Sequence, residues 1–268
     1  MLNIIHSLLV VAVLALMNPS AHSAPAFDHV VVFGDSLSDN GNAGRASNGP
    51  VWVEYLAKRL QVPLEPSRAG GTNYAVGGAR LDPRSGGTSL RVQADSYLRE
   101  PGSQGRILHI VYGGGNDLLA AVGQSQSFSA ADAAVASLRS IVDDLARQGA
   151  REILVPNLPG IGITPAVRAQ GPGAVQAANR LTAHFNAALD RALAEFADRT
   201  GLRLYRLDVW ELAERVSADP AAAGFSDIVT PCHQYRSCEG HLFWDSIHPT
   251  TQAHRRLAEA AAQVLQMP

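Results

Sequence analysis

Four short apolar runs, each bounded by glycine or proline and separated by stretches of helical period, constrain the fold of this chain most. Asp28-His29-Val30-Val31-Val32-Phe33 stops at Gly34, and Ile107 to Tyr112 stops at Gly113-Gly114-Gly115. Ile153-Leu154-Val155 stops at Pro156, and Leu202 to Val209 begins after Gly201. A strand buried on both faces reads as a continuous β-branched run rather than an alternating one. Each run is therefore expected to be a buried parallel strand, with a shorter strand over Thr72 to Val76. Helical spacing links Trp52, Tyr55, Leu56 and Leu60, then Leu138, Ile141, Val142 and Leu145, then Leu181, Phe185, Leu189, Leu193 and Phe196. A last helix is expected from Pro249 or Thr250, carrying Leu257, Val264 and Leu265. Strands alternating with helices make a parallel sheet covered on both faces. In such sheets ligands bind beyond the carboxyl ends of the strands, which is where the glycine-rich loops fall.

Composition removes several alternatives. An apolar fraction of 46% with a net charge of −2 excludes a disordered chain. Near-neutral charge leaves no electrostatic footprint for phosphate backbones, so nucleic acid is not an expected partner. Leu8 to Met17 is an uncharged apolar run followed by Ala21-His22-Ser23-Ala24, although the first seven residues carry no Lys or Arg. The run is too short for a bilayer span and suits a secretory leader ending in small residues. Residues 1–24 are expected to be a signal peptide, and residues 25–268 a single exported domain without a transmembrane segment. Glu211 to Leu242 has weak periodicity and is expected to be a long excursion over the mouth of the site.

A serine directly after a buried strand, in Gly34-Asp35-Ser36-Leu37-Ser38, sits where a turn can present its Oγ. A hydroxyl nucleophile needs a base, and histidine titrates nearest working pH. The base needs a carboxylate on its other ring nitrogen. Asp245-Ser246-Ile247-His248 puts both in one tight turn. Asn73-Tyr74-Ala75-Val76-Gly77-Gly78-Ala79 and Gly113-Gly114-Gly115-Asn116-Asp117 each follow an expected strand and offer backbone and amide donors for an oxyanion. Taken singly, each loop also reads as an ordinary glycine-rich turn, with Ser36 or Ser38 capping a helix. There is no G-x-S-x-G elbow, phosphate-binding loop or dinucleotide fingerprint.

Together these segments resemble the GDSL or SGNH hydrolases, serine esterases and lipases named for Ser, Gly, Asn and His in four blocks. The blocks here are Gly34 to Ser38, Asn73 to Ala79, Gly114 to Asp117, and Asp245 to Pro249, in the family's order. The resemblance implies a flavodoxin-like, three-layer α/β/α sandwich with about five parallel strands. It implies Ser36 as nucleophile, His248 as general base then acid, and Asp245 as its orienting carboxylate. The implied oxyanion hole is the N–H groups of Ser36 and Gly78 with the side chain of Asn116. Gly77 or Gly78 could fill the second block's role; Gly78 is preferred because the family's glycine closes that short turn. Leu242-Phe243-Trp244-Asp245 looks like the secreted subgroup with lipases, acyltransferases and acetylesterases. Asn40 stands where that subgroup often has threonine.

The expected activity is that of an exported carboxylester hydrolase, secreted or periplasmic, working through an acyl-enzyme without cofactor or metal. An acyltransferase on a lipid or sugar acceptor and a non-catalytic binding protein are the alternatives. An exported chain would join Cys232 and Cys238 as a disulfide. A metal site at Cys232, His233, Cys238 and His241 fits none of the common zinc spacings. His254 is expected to be a surface or packing residue, and His109 a satisfied core histidine. Trp244 is expected either to line a substrate pocket or to pack beneath the turn.

Overall fold

The computed structural model describes residues 27–81, 87–100 and 104–266. The apolar leader and its cleavage point lie outside the described residues. Among those described, one sheet holds β1 His29–Gly34, β2 Ile107–Tyr112, β3 Glu152–Pro156 and β4 Arg203–Leu207, in that spatial order. All neighbours are parallel, with His29 opposite Ile107, Leu108 opposite Glu152, and Glu152 opposite Arg203. β1, β2 and β3 are buried almost throughout, which is why they read as uninterrupted apolar runs. β4 lies at the edge and is half-buried, and it carries Arg203 and Arg206, charges suited to an unpaired edge.

Thr72 to Val76 runs beside β1 on the side away from β2. Val32 N–H donates to Thr72 O at 3.1 Å, Tyr74 N–H to Val32 O at 2.8 Å, and Val76 N–H to Gly34 O at 3.1 Å. It nonetheless forms a single bridge with β1, at Asn73, rather than a regular strand. A side chain intercepts the ladder, because Gly34 N–H donates to Gln93 Oε1. Four strands and this edge segment give the flavodoxin-like order and account for the fifth strand expected.

The helices are α1 Trp52–Leu60, α2 Leu90–Leu98, α3 Gly115–Ala121, α4 Ser127–Arg147, α5 Pro165–Arg168, α6 Pro172–Ala194, α7 Val209–Ala218 and α8 Thr251–Val264. α1 packs on α8, while α4 packs on α2, α3 and α6, so the sheet is covered on both faces. The sequence reading carried the fourth strand to Val209, but the chain has already entered α7 there. Asp208 caps that helix by accepting from Glu211 N–H at 2.9 Å, and Asn157 Oδ1 accepts from Val209 and Trp210. Val209, Leu212, Ala213 and Val216 are spaced as one helix face, so the signal was present behind the Asp208 cap.

Beyond α7 the expected excursion is irregular up to α8. Cys232 and Cys238 form a disulfide with Sγ atoms 2.01 Å apart. Cys232 N–H donates to Phe243 O and His233 N–H to Trp244 O, which ties the disulfide loop to the segment before His248. His109, in the middle of β2, is buried but only half satisfied. Tyr97 hydroxyl lies 3.0 Å from Nε2, and Nδ1 has no hydrogen-bond partner among the described residues. Burial pushes this imidazole down to about 4, so it sits neutral in the core.

Candidate active site

The loops after β1, β2 and β3 converge with the segment before α8 at the carboxyl end of the sheet. Phe243 and Pro249 pair as an antiparallel bridge, with Trp244 N–H donating to His248 O at 2.8 Å. Thr250 then caps α8 and donates its hydroxyl to His241 O. The closed loop between these anchors is the turn holding Asp245 and His248.

Within it, Asp245 Oδ1 accepts from Ile247 N–H at 2.8 Å and His248 N–H at 2.6 Å. This leaves Oδ2 facing His248 Nδ1 at 2.8 Å. On the far side of the ring, Nε2 lies 2.9 Å from Ser36 Oγ. The sequence thus placed three residues that the fold joins into one hydrogen-bonded chain. Burial works against the charge of Asp245, but the two N–H donors and the His248 ring outweigh it and hold the carboxyl below its usual range. The acceptor facing Nδ1 therefore stays ionised, as an orienting carboxylate must.

Ser36 is the second residue beyond β1, and its N–H has no partner among the described residues. Its neighbour Asp35 is buried and accepts from Leu37 N–H at 3.0 Å. Burial pushes the Asp35 carboxyl up to about 6, against the Leu37 N–H and the charge of His248, which pull it down.

The second and third blocks close around this centre. Gly77 N–H is taken by Asp39 Oδ2 at 2.8 Å. Gly78 adopts φ +77, and its own N–H has no partner among the described residues. Gly114, at φ +110, lets α3 begin immediately after β2, where a Cβ would meet the Phe185 ring at 2.7 Å. The second residue of α3 is Asn116, whose Nδ2 donates one hydrogen to Ala79 O at 2.9 Å. Its other amide hydrogen remains.

Sequence reading missed Asp39. This wholly buried carboxylate also accepts from the N–H groups of Gly41, Asn42 and Ala43, and so fixes the second block against the first. Asn40 ties the same blocks together, accepting from Asn73 Nδ2 at 2.8 Å. Such partners are far apart in sequence, and a propensity pattern carries no trace of them.

A cavity of about 160 Å³ opens at Ser36 and His248. Leu242 and Phe243 line it, whereas the half-buried Trp244 is not among its walls. His254 is a packing residue, 1% exposed, with neither ring nitrogen partnered. The Cys232 and Cys238 sulfurs are bonded to each other and so are not ligands for a metal. No helix among the described residues is long and apolar enough to cross a membrane.

Residues 30–261 match the family model described as GDSL-like lipase/acylhydrolase. Phosphatidylcholine-sterol acyltransferase of Aeromonas hydrophila is 28% identical over 94% of this chain and 94% of its own. Esterase EstA of Pseudomonas aeruginosa is 28% identical over 97% of this chain, which spans 50% of EstA. Among solved structures, an acetylxylan esterase of Geobacillus stearothermophilus superposes with a TM-score of 0.55 at 18% identity. That match covers 90% of this chain and 95% of the other. At that identity the likeness speaks to the fold alone.

Proposed function

The chain belongs to the GDSL-like lipase/acylhydrolase family, and from that premise we propose that it is an exported serine carboxylester hydrolase working through an acyl-enzyme on Ser36. The observation that carries the proposal is the unbroken chain from Asp245 through His248 to Ser36, at 2.8 and 2.9 Å. Ser36 Oγ attacks the ester carbonyl carbon while His248 Nε2 takes its proton. Asp245 holds the proton on Nδ1 and steadies the imidazolium that forms.

The tetrahedral oxyanion is received by the N–H groups of Ser36 and Gly78 and by the spare Nδ2 hydrogen of Asn116. These donors are fixed before substrate arrives, so they cost no reorganisation in the transition state. Collapse expels the alcohol with the proton from Nε2. Water then repeats the sequence and releases the carboxylate. The prior engagement of Gly77 by Asp39 supports Gly78 rather than Gly77 in this role. Cys232–Cys238 supports export, since such bonds persist in oxidising compartments.

Asn116→Ala tests the oxyanion assignment. Its kcat on a chromogenic ester is expected to fall about 10²–10³-fold with KM little changed. A loss confined to KM contradicts it. A second reading, acyl transfer to an alcohol, is favoured by the acyltransferase relative that matches almost end to end. Supplying an alcohol acceptor and separating ester from free acid among the products decides between water and alcohol as the second nucleophile.

A further inference from the structure

The cavity that begins at Ser36 is walled mainly by apolar side chains. They include Leu158 and Ile161 after β3, Leu212 and Val216 on α7, and Phe225 and Phe243 on the way to the catalytic turn. The charged side chains at its boundary are engaged elsewhere. Asp35 is tied to Leu37 N–H, and the Arg256 guanidinium reaches Ala223 O and Glu259. His254 adds another piece of wall, and burial pushes it down to about 3, so its ring is neutral at any working pH. A sugar entering this space would shed its hydration and find few partners to replace it. A hydrocarbon chain gains by the same move.

Resting on the serine-ester reading above, we infer that this cavity is the acyl-chain subsite, that it selects esters of medium chain length, and that α7 sets the limit. An apolar cavity of about 150 Å³ takes up benzene, a six-carbon ring, so about 160 Å³ accommodates a chain of roughly that many carbons beyond the carbonyl region. Hexanoyl to octanoyl chains fill it. Acetyl leaves it empty, and a much longer chain must leave through the rim. α7 contributes Val209, Leu212, Ala213 and Val216 to the wall, more of the lining than any other helix except α8.

The test is a panel of nitrophenyl esters of increasing acyl length, beside a panel of acetates of increasing alcohol length. In the first, kcat/KM is expected to rise about 3- to 4-fold per methylene up to roughly octanoyl and then fall. The second panel is expected to show no comparable rise. Ala213→Trp, which puts a large ring on the inward face of α7, is expected to lower the octanoate-to-acetate ratio of kcat/KM by about tenfold or more. Leu212→Ala opens the same wall and is expected to move the optimum to longer acyl chains, so the limit remains testable if the tryptophan variant does not fold.

Labelling of Ser36 by a small fluorophosphonate runs alongside. Full labelling with an acyl profile that is flat, or that peaks at acetate, overturns the subsite and leaves the serine hydrolase standing. A rise that follows the alcohol chain overturns it equally. Absence of both labelling and ester turnover overturns the hydrolase reading itself, and the subsite with it.

Discussion

Ser36→Ala is expected to lower kcat on a chromogenic ester by about five to six powers of ten, with KM within a few-fold of the unaltered chain. The split between the two constants follows from the geometry. Ser36 Oγ has one hydrogen-bond partner, His248 Nε2, and nothing else in the fold depends on it. Its N–H survives the substitution, so one oxyanion donor remains, and the cavity beside it is intact. Only the attacking atom is lost. What remains is the modest acceleration that binding and the oxyanion donors supply without a nucleophile. Activity within tenfold of the unaltered chain would place the chemistry elsewhere.

Asp245→Asn is expected to cost about 10⁴ in kcat while leaving the turn folded. Asp245 Oδ1 is committed to two backbone donors, Ile247 N–H and His248 N–H. An amide in its place must keep its oxygen there, because an NH₂ cannot accept either bond. The NH₂ then occupies the position of Oδ2 and donates to His248 Nδ1. That nitrogen becomes the acceptor, and the ring proton moves to Nε2, where it points at the serine hydroxyl. The imidazole is held in the right place in the wrong tautomer, unable to take a proton from Oγ. A histidine ring NMR spectrum reporting Nε2–H in the variant, beside Nδ1–H in the unaltered chain, separates this cause from simple loss of structure. A variant that keeps Nδ1–H and near-normal kcat contradicts the orienting role.

Much of the scaffold could be read in advance because burial on both faces leaves a mark in composition. Val30 to Phe33 and Ile107 to Tyr112 are β-branched and aromatic for that reason, and their boundaries fell within a residue of the strands. The hydrogen-bonded chain of Asp245, His248 and Ser36 was legible because the proposed chemistry restricts residue type. Asp245 and His248 lie in one turn, and Ser36 follows a strand whose direction the alternation fixes. The fifth strand was only half legible, because Gln93 takes over the Gly34 N–H that the ladder needed. α7 was missed because a continuous apolar register hides the change from strand to helix at Asp208. The support beneath the site was not legible at all. Asp39 acts through Gly77, thirty-eight positions away, and Gln93 acts through Gly34, fifty-nine away. For His254 a surface and a packing position were both open in sequence, and that it would be buried with neither ring nitrogen partnered among the described residues has no signal there.

The central claim, that Ser36 forms the covalent intermediate, is tested most directly by treating the purified chain with a fluorophosphonate and locating the adduct by peptide mass spectrometry. The account predicts a single adduct on Ser36, absent from Ser36→Ala and formed more slowly in Asp245→Asn. A chain that hydrolyses esters yet carries its adduct on another residue, or carries none, would contradict it.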